Sequence, residues 1–260
     1  MTRQTSIAAL LLAGLLSSCG KESVPDLTGP FGSSRIRFFN FGVNAPGVNF
    51  YANNTKMTAI ASTTPGVEPT TGTTYSQVAA NGAYSAIAPG QYTVAGKIAA
   101  TTDKDLAIAT LPTTIADGKF YSFYMSGTYD ATAKTVDAFV VEDPFVEPTD
   151  FSLATVRFVH AIFNANPMTL FAKNTTTAVE VPVGVAVAYK GAGAFTTLPA
   201  GAYDLSARYT GLTTNALTRP GVSFVGGKVY TITARGDITV APSTACGATN
   251  RTCLDNTANR

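Results

Sequence analysis

Charge is scarce in this sequence. Asp, Glu, Lys and Arg make up 13% of its 260 residues, about half of what a soluble domain ordinarily carries. There is one His, no Trp and only three Cys. No apolar run approaches the roughly 18 residues that mark a membrane-spanning helix. Each scarcity excludes something. With 18 basic against 16 acidic residues, there is no basic excess to grip nucleic acid. Nor is there the charge imbalance of a disordered tail. A single imidazole excludes a multi-His metal site within one chain. No glycine-rich loop follows a strand and opens a helix, so nucleotide binding lacks support. No metal and no cofactor are expected.

What is present is Thr, 11 Tyr, 23 Gly and 14 Pro. Thr and Tyr favour strands, while Gly and Pro punctuate turns. The start of the chain gives an address. Arg3 supplies a positive charge, and Ile7 to Leu16 form an apolar run of ten residues. That run has the length of a signal-peptide core. Leu16-Ser17-Ser18-Cys19 follows and resembles the lipobox of bacterial lipoproteins, with Ser18 a departure that is small enough to fit. The resemblance implies cleavage before Cys19, acylation of Cys19, and anchoring to a membrane through that N-terminal lipid. Gly20 rather than Asp follows the Cys, which points to the outer membrane.

The rest of the chain repeats itself. Ile36-Arg37-Phe38-Phe39-Asn40 returns as Val156-Arg157-Phe158-Val159-His160. Phe50-Tyr51-Ala52 returns as Leu170-Phe171-Ala172. Tyr84 through Pro89-Gly90-Gln91-Tyr92 matches Phe195 through Ala200-Gly201-Ala202-Tyr203, and Asp117-Gly118-Lys119-Phe120-Tyr121 matches Gly226-Gly227-Lys228-Val229-Tyr230. Within the blocks, Tyr230, Ile232 and Ala234 alternate with Thr231, Thr233 and Arg235. That period of two predicts half-exposed antiparallel sheet.

The expected fold is all-β. Two tandem immunoglobulin-like antiparallel β-sandwich domains follow the signal peptide, with a small barrel as the alternative. The expected divisions are a signal peptide at 1–18, a tether at 19–34 and a first repeat at 35–141. An acidic, proline-containing linker follows at 142–153, then a second repeat at 154–240 and a C-terminal tail with a Cys pair at 241–260. The stretch Ser62 to Thr74, rich in Thr, Pro and Gly, reads as an exposed loop present only in the first repeat.

The Arg-Phe-apolar opening strand, Asn44-Ala45-Pro46, the Pro/Ala-Gly-x-Tyr turn and the Gly-Lys-x-Tyr strand together resemble a bacterial family, the domain of unknown function DUF4397. The resemblance spans both repeats. It implies a β-sandwich in a secreted or lipid-anchored protein, and it implies no reaction.

The residues with chemical potential have plain readings. His160 sits within a strand where the first repeat has Asn40, and reads as a hydrogen-bonding residue rather than a catalyst. Cys246 and Cys253 are an even pair without Cys-x-x-Cys spacing, and predict a structural disulfide. Glu142, Asp143, Glu147 and Asp150 could supply oxygens to calcium, but lack an Asp-x-Asp loop; they read as a solvated linker. Asp103, Asp105, Asp130 and Asp137 show no spacing that marks a hydrolytic pair.

The functional expectation is a lipid-anchored protein of the bacterial cell envelope, probed at its loop tips by an envelope polymer or protein. It acts as a non-enzymatic structural, binding or adhesion module. The alternatives are a carbohydrate-binding accessory lipoprotein of an uptake system and, behind it, a hydrolase using acidic residues.

Overall fold

The computed structural model describes residues 32–240, 246–247 and 251–259. From Gly32 onward the chain forms one compact unit. It is built almost wholly of strands. The first lobe holds β1 (Ser34–Asn40), β2 (Val48–Ala52), β3 (Thr55–Lys56), β4 (Gln77–Val78), β5 (Ser85–Ile87), β6 (Gly90–Ile98), β7 (Ala107–Ile115), β8 (Phe120–Asp130) and β9 (Thr135–Glu142). The second holds β10 (Leu153–Ala161), β11 (Met168–Asn174), β12 (Glu180–Val187), β13 (Thr196–Pro199), β14 (Gly201–Tyr209), β15 (Leu217–Phe224), β16 (Val229–Arg235) and β17 (Cys253–Ala258). Among the described residues no helix is long and apolar enough to cross a membrane.

Each lobe is a sandwich of two sheets. In the first, an inner sheet β4-β1-β8-β9, with β5 also on β1, faces an outer sheet β3-β2-β6-β7. In the second, an inner sheet β13-β10-β16-β17 faces an outer sheet β12-β11-β14-β15. Most pairings are antiparallel, but β1 runs parallel to β8, and β10 parallel to β16. The registers correspond: Phe38 lies opposite Phe123, and Phe158 opposite Ile232.

Smaller details recur as well. The Tyr92 hydroxyl donates to the Ala88 carbonyl at 3.0 Å, and the Tyr203 hydroxyl to that of Pro199 at 2.7 Å. The Tyr121 hydroxyl accepts from the Ala116 N–H, as Tyr230 does from Val225. These bonds fix the turns that begin or end each strand.

Alternation creates the two cores. Ile36, Phe38, Phe50, Val94, Ile98, Phe123 and Met125 fill the first, and Val156, Phe158, Leu170, Leu205, Ile232 and Leu254 the second. Gly96 is an ordinary extended residue, yet a Cβ there would meet the Met125 sulfur at 2.5 Å. The outer sheet thus approaches the inner one closely at that point.

The other face of the inner sheets departs from the half-exposed expectation. Thr231, Thr233 and Arg235, read from sequence as a solvent face, are 0–1% exposed. They are covered by the first lobe. A third core of Phe39, Phe41, Tyr124, Phe139, Val159 and Ala161 lies between the inner sheets. Phe39 stacks on Tyr124 at 4.3 Å, and Tyr124 on Phe139 at 4.9 Å. Four sheets are therefore layered, with the two inner ones buried on both faces.

The segment 241–260, expected as a tail, also differs. Its β17 pairs antiparallel with β16 from Arg235–Cys253 to Tyr230–Ala258. It closes the second inner sheet as β9 closes the first. The second repeat therefore extends past 240.

Candidate functional site

The densest polar cluster lies where the inner sheets meet. Arg37 and Arg157 hold equivalent positions, on β1 and β10. Each is 0–1% exposed. The Arg37 Nε donates to the Ser122 hydroxyl at 2.9 Å, and the Arg157 Nε to the Thr231 hydroxyl at 3.1 Å. Each guanidinium then leaves its own lobe. Arg157 Nη1 donates to the Glu142 carbonyl at 2.9 Å, at the end of β9. Arg37 Nη1 donates to the Ala258 carbonyl at 3.1 Å, at the end of β17. Glu142 and Ala258 are themselves register equivalents, opposite Tyr121 and Tyr230. Each lobe thus grips the last strand of the other.

Asp143 stands just beyond Glu142 and is 2% exposed. It forms an ion pair with Arg157 Nη2 and lies 3.9 Å from Arg37 Nε. It accepts from the Ser122 hydroxyl at 2.7 Å and the Tyr84 hydroxyl at 2.5 Å. Burying a carboxylate is costly unless it is paired and hydrogen-bonded, and here it is both. This corrects the solvated-linker reading at one of its four acids. The equivalent residue in the second lobe is Asn259, whose Oδ1 accepts from Thr231 and whose Nδ2 donates to the Tyr84 hydroxyl. Two buried guanidiniums therefore share one carboxylate, and Arg37 Nη2 has no hydrogen-bond partner among the described residues. Burial raises the Tyr84 phenol far above its ordinary value; the Arg37 charge opposes the shift and the Asp143 carboxylate adds to it.

Aromatic rings cover both cations. Arg37 lies 4.7 Å from the Tyr84 ring centre and Arg157 4.7 Å from that of Phe195. These rings are the matched positions of the repeat. At the far end of the junction, Arg235 pairs with Asp255 and donates to the Tyr75 hydroxyl of the first lobe at 3.2 Å. The corresponding Tyr189 meets Ser126 at 3.2 Å and Asp137 at 3.3 Å. Burial pushes the Tyr189 phenol up to about 12.

The remaining residues singled out from sequence are engaged separately. His160 is fully buried; its Nε2 lies 3.2 Å from the Asn166 carbonyl, and its Nδ1 accepts from the Ile162 N–H at 3.3 Å. Burial lowers its pKa. Asp103 pairs with Lys134, Asp105 accepts from Tyr51 at 3.2 Å, and Asp137 pairs with Lys190 at 2.6 Å. Asp130 accepts two backbone N–H groups, which hold its pKa below the usual range. Glu142 pairs with Lys119 at 3.0 Å at the surface, and Asp150 accepts from Ser152. Cys19 lies outside the described residues.

Cys246 and Cys253 are joined by a disulfide, with Cα atoms 5.5 Å apart. Their sulfurs and the Asp255 carboxylate converge, but a sulfur committed to a disulfide is no thiolate ligand. Ser62 to Thr74 is exposed except near its end, where Thr73 is buried and pairs with Val48. Glu68, inside the loop, pairs with Lys56 and Lys104.

Sequence reasoning did not single out Tyr84 or Asn259 as junction residues. Tyr84 carried a signal, because its match Phe195 lies in the aligned repeat. Asn259 carries none, because its segment reads in sequence as a tail.

Beside the junction, a groove of about 670 Å³ separates β17 from the first lobe.

A model of the family described as "Domain of unknown function (DUF4397)" matches residues 34–170. The match runs from β1 into β11. No curated protein matches the chain. Among solved structures, the chain is similar to the Bacillus anthracis TIE protein at 15% identity and a TM-score of 0.25, covering 78% of this chain and 33% of that one. It thus spans about a third of that protein's length. It is also similar to a protein from Bacteroides ovatus titled a "putative cell adhesion protein", at 12% identity and a TM-score of 0.20, covering 89% of this chain and 97% of that one.

Proposed function

The chain belongs to the DUF4397 family, and on that premise we propose that it is a non-enzymatic interaction module of the bacterial cell envelope, held to a membrane, the outer one, by lipid on Cys19. The observation that carries the module reading is the reciprocal arginine grip. Arg37 holds the end of β17, and Arg157 the end of β9 and Asp143. The buried charged groups at the junction join one lobe to the other, and His160 is engaged with backbone groups at its own strand end. Such a body presents loops and strand edges on a stiff support, which is how binding surfaces are commonly carried. Leu16-Ser17-Ser18-Cys19 supports the anchor. The partner is a polymer or protein of the envelope.

Fractionation of the native host, with mass spectrometry of the mature N-terminus and protease shaving of intact cells, tests this reading. Acylated Cys19 in the outer-membrane fraction is expected. A mature protein that begins elsewhere and is soluble after lysis would overturn the anchor.

A further inference from the structure

Both lobes point the same way. Arg37 and Arg157, each near the start of its strand, meet at Asp143. Near the other end of β1, Met125 pairs with Asn40, and the next residue, Ser126, donates to the Ala161 carbonyl at the end of β10 at 2.9 Å. The starts of β1 and β10 therefore lie at one end of the molecule. The turns leading into β8 and β16, which run parallel to them, lie there too. Gly32 enters at this end, against the Ile87–Ala88 peptide. The same end carries exposed apolar side chains. Val146 and Phe151, at 81% and 77%, are the most exposed large apolar residues among the described ones, and Val225 is 57% exposed. They are neighbours rather than scattered. Gly226 and Gly227 follow Val225, and a Cβ on either would strike Phe151, at its carbonyl oxygen (1.9 Å) or at its ring (2.4 Å). The ring is thus seated on a glycine turn without being covered by it. Val146 lines a groove with Asp150 and Leu153, which flank Phe151 in the chain.

Resting on the lipid anchor read at Cys19, we propose that this end lies on the bilayer surface, with Phe151, Val146 and Val225 entering the boundary between headgroups and acyl chains. Cys19 stands thirteen positions before Gly32, and a chain of that length reaches at most about 45 Å. The tether joins this end of the molecule and not the far one. Confinement raises the effective concentration of the apolar side chains at the surface, so a contact too weak to capture the free chain suffices for an anchored one. Contiguous exposed apolar residues mark such contact surfaces, and the membrane boundary favours aromatic rings. Charge narrows the lipid. Lys119 and Lys228 stand at this end beside Asp117, Glu142 and Asp150, and Lys119 is paired with Glu142. No cationic face results, so the contact is apolar and needs no anionic lipid. The far end, where Leu212 is 58% exposed in the turn between β14 and β15, faces away from the bilayer.

The chain has no Trp, so one introduced indole reports its own surroundings. Cys246 and Cys253 are joined, which leaves Cys19 as the single thiol of the three Cys. In the test, the mature chain expected from cleavage before Cys19 is coupled through that thiol to a maleimide lipid in phosphatidylcholine vesicles. Phe151→Trp is compared with Leu212→Trp. The Phe151→Trp emission is expected to move to shorter wavelength on coupling, and to lose most of its intensity when the acyl chains are brominated. Leu212→Trp is expected to change in neither respect. Val225→Trp repeats the reading if the first variant does not fold. Equal quenching at the two ends, or solvent-like emission from Phe151→Trp and Val225→Trp on the vesicles, would overturn the proposal. So would a Phe151→Trp emission that moves to shorter wavelength with protein concentration in the absence of vesicles, since a second copy would then cover this end. Because the anchor is installed chemically, each outcome is independent of whether the host acylates Cys19, which fractionation reads.

Discussion

Arg37 and Arg157 occupy one position in two copies of a repeat, and both guanidiniums lie against the single carboxylate of Asp143. The duplication supplied two cations, whereas the end of β17 carries Asn259 where the end of β9 carries Asp143. Asp143→Asn would make the two sites alike and leave both guanidiniums buried without a counter-ion. Losing one partner of a buried pair costs about 3–5 kcal/mol, and that loss is expected in urea unfolding. A loss well below that range would contradict this account of the junction.

His160 gives the fold a dependence on acidity. Burial lowers its pKa in the folded state, so below the unfolded value of about 6.5 the unfolded chain binds the extra proton. The contribution of His160 is therefore present above that value and is lost as pH falls through the folded pKa. Melting temperature is expected to drop between neutral and mildly acidic pH, before the carboxylates titrate. His160→Asn, which installs the residue of the first repeat, is expected to flatten that slope in a melting series.

The disulfide anchors the start of β17. Replacing Cys246 and Cys253 together by Ser is expected to destabilise the chain by about 2–3 kcal/mol on loop-entropy grounds. Hydrogen exchange should quicken first at Asp255 and Thr257, whose amides address β16. Uniform quickening across both lobes would mean that β17 does not open by itself.

The loop of the first lobe tolerates change unevenly. Ser62 to Val67 is exposed and bonds mainly within itself. An equal-length Gly-Ser replacement is expected to move the melting temperature by no more than about 1 °C. Gly72 is different: it has φ of 59°, and a Cβ would meet the Val48 carbonyl oxygen at 2.7 Å. Gly72→Val is expected to lower the melting temperature by several degrees, about the effect of 1–3 kcal/mol.

The duplication, the strand phase and the two sandwich cores were legible because apolar residues recur at every second position beside glycine turns. Ile232 and Phe158 announce a core whatever lies beyond. Thr231, Thr233 and Arg235 were read as a wetted face for a physical reason: alternation reports one apolar side, and it does not distinguish water from a second sheet over the other. Asp143 shares its stretch with Glu142, Glu147 and Asp150, and composition alone gives all four the same environment. Recognising its special place required pairing it with Asn259. That in turn required seeing β17 as the counterpart of β9, although Phe139 faces Asp255 in that correspondence, and Ala138 faces Leu254. Polar and apolar residues exchanged along that strand erased the pattern by which a repeat is found.

The third core has a further implication. Its large rings, Phe39, Phe41, Tyr124 and Phe139, come from the first lobe, while the second lobe contributes Val159 and Ala161. Two first lobes brought together would crowd ring against ring, and two second lobes would leave an unfilled space. The copies have diverged into a bulky half and a receiving half. Either one discriminates against its own kind, and the order of the two along the chain carries information that a count of domains would miss.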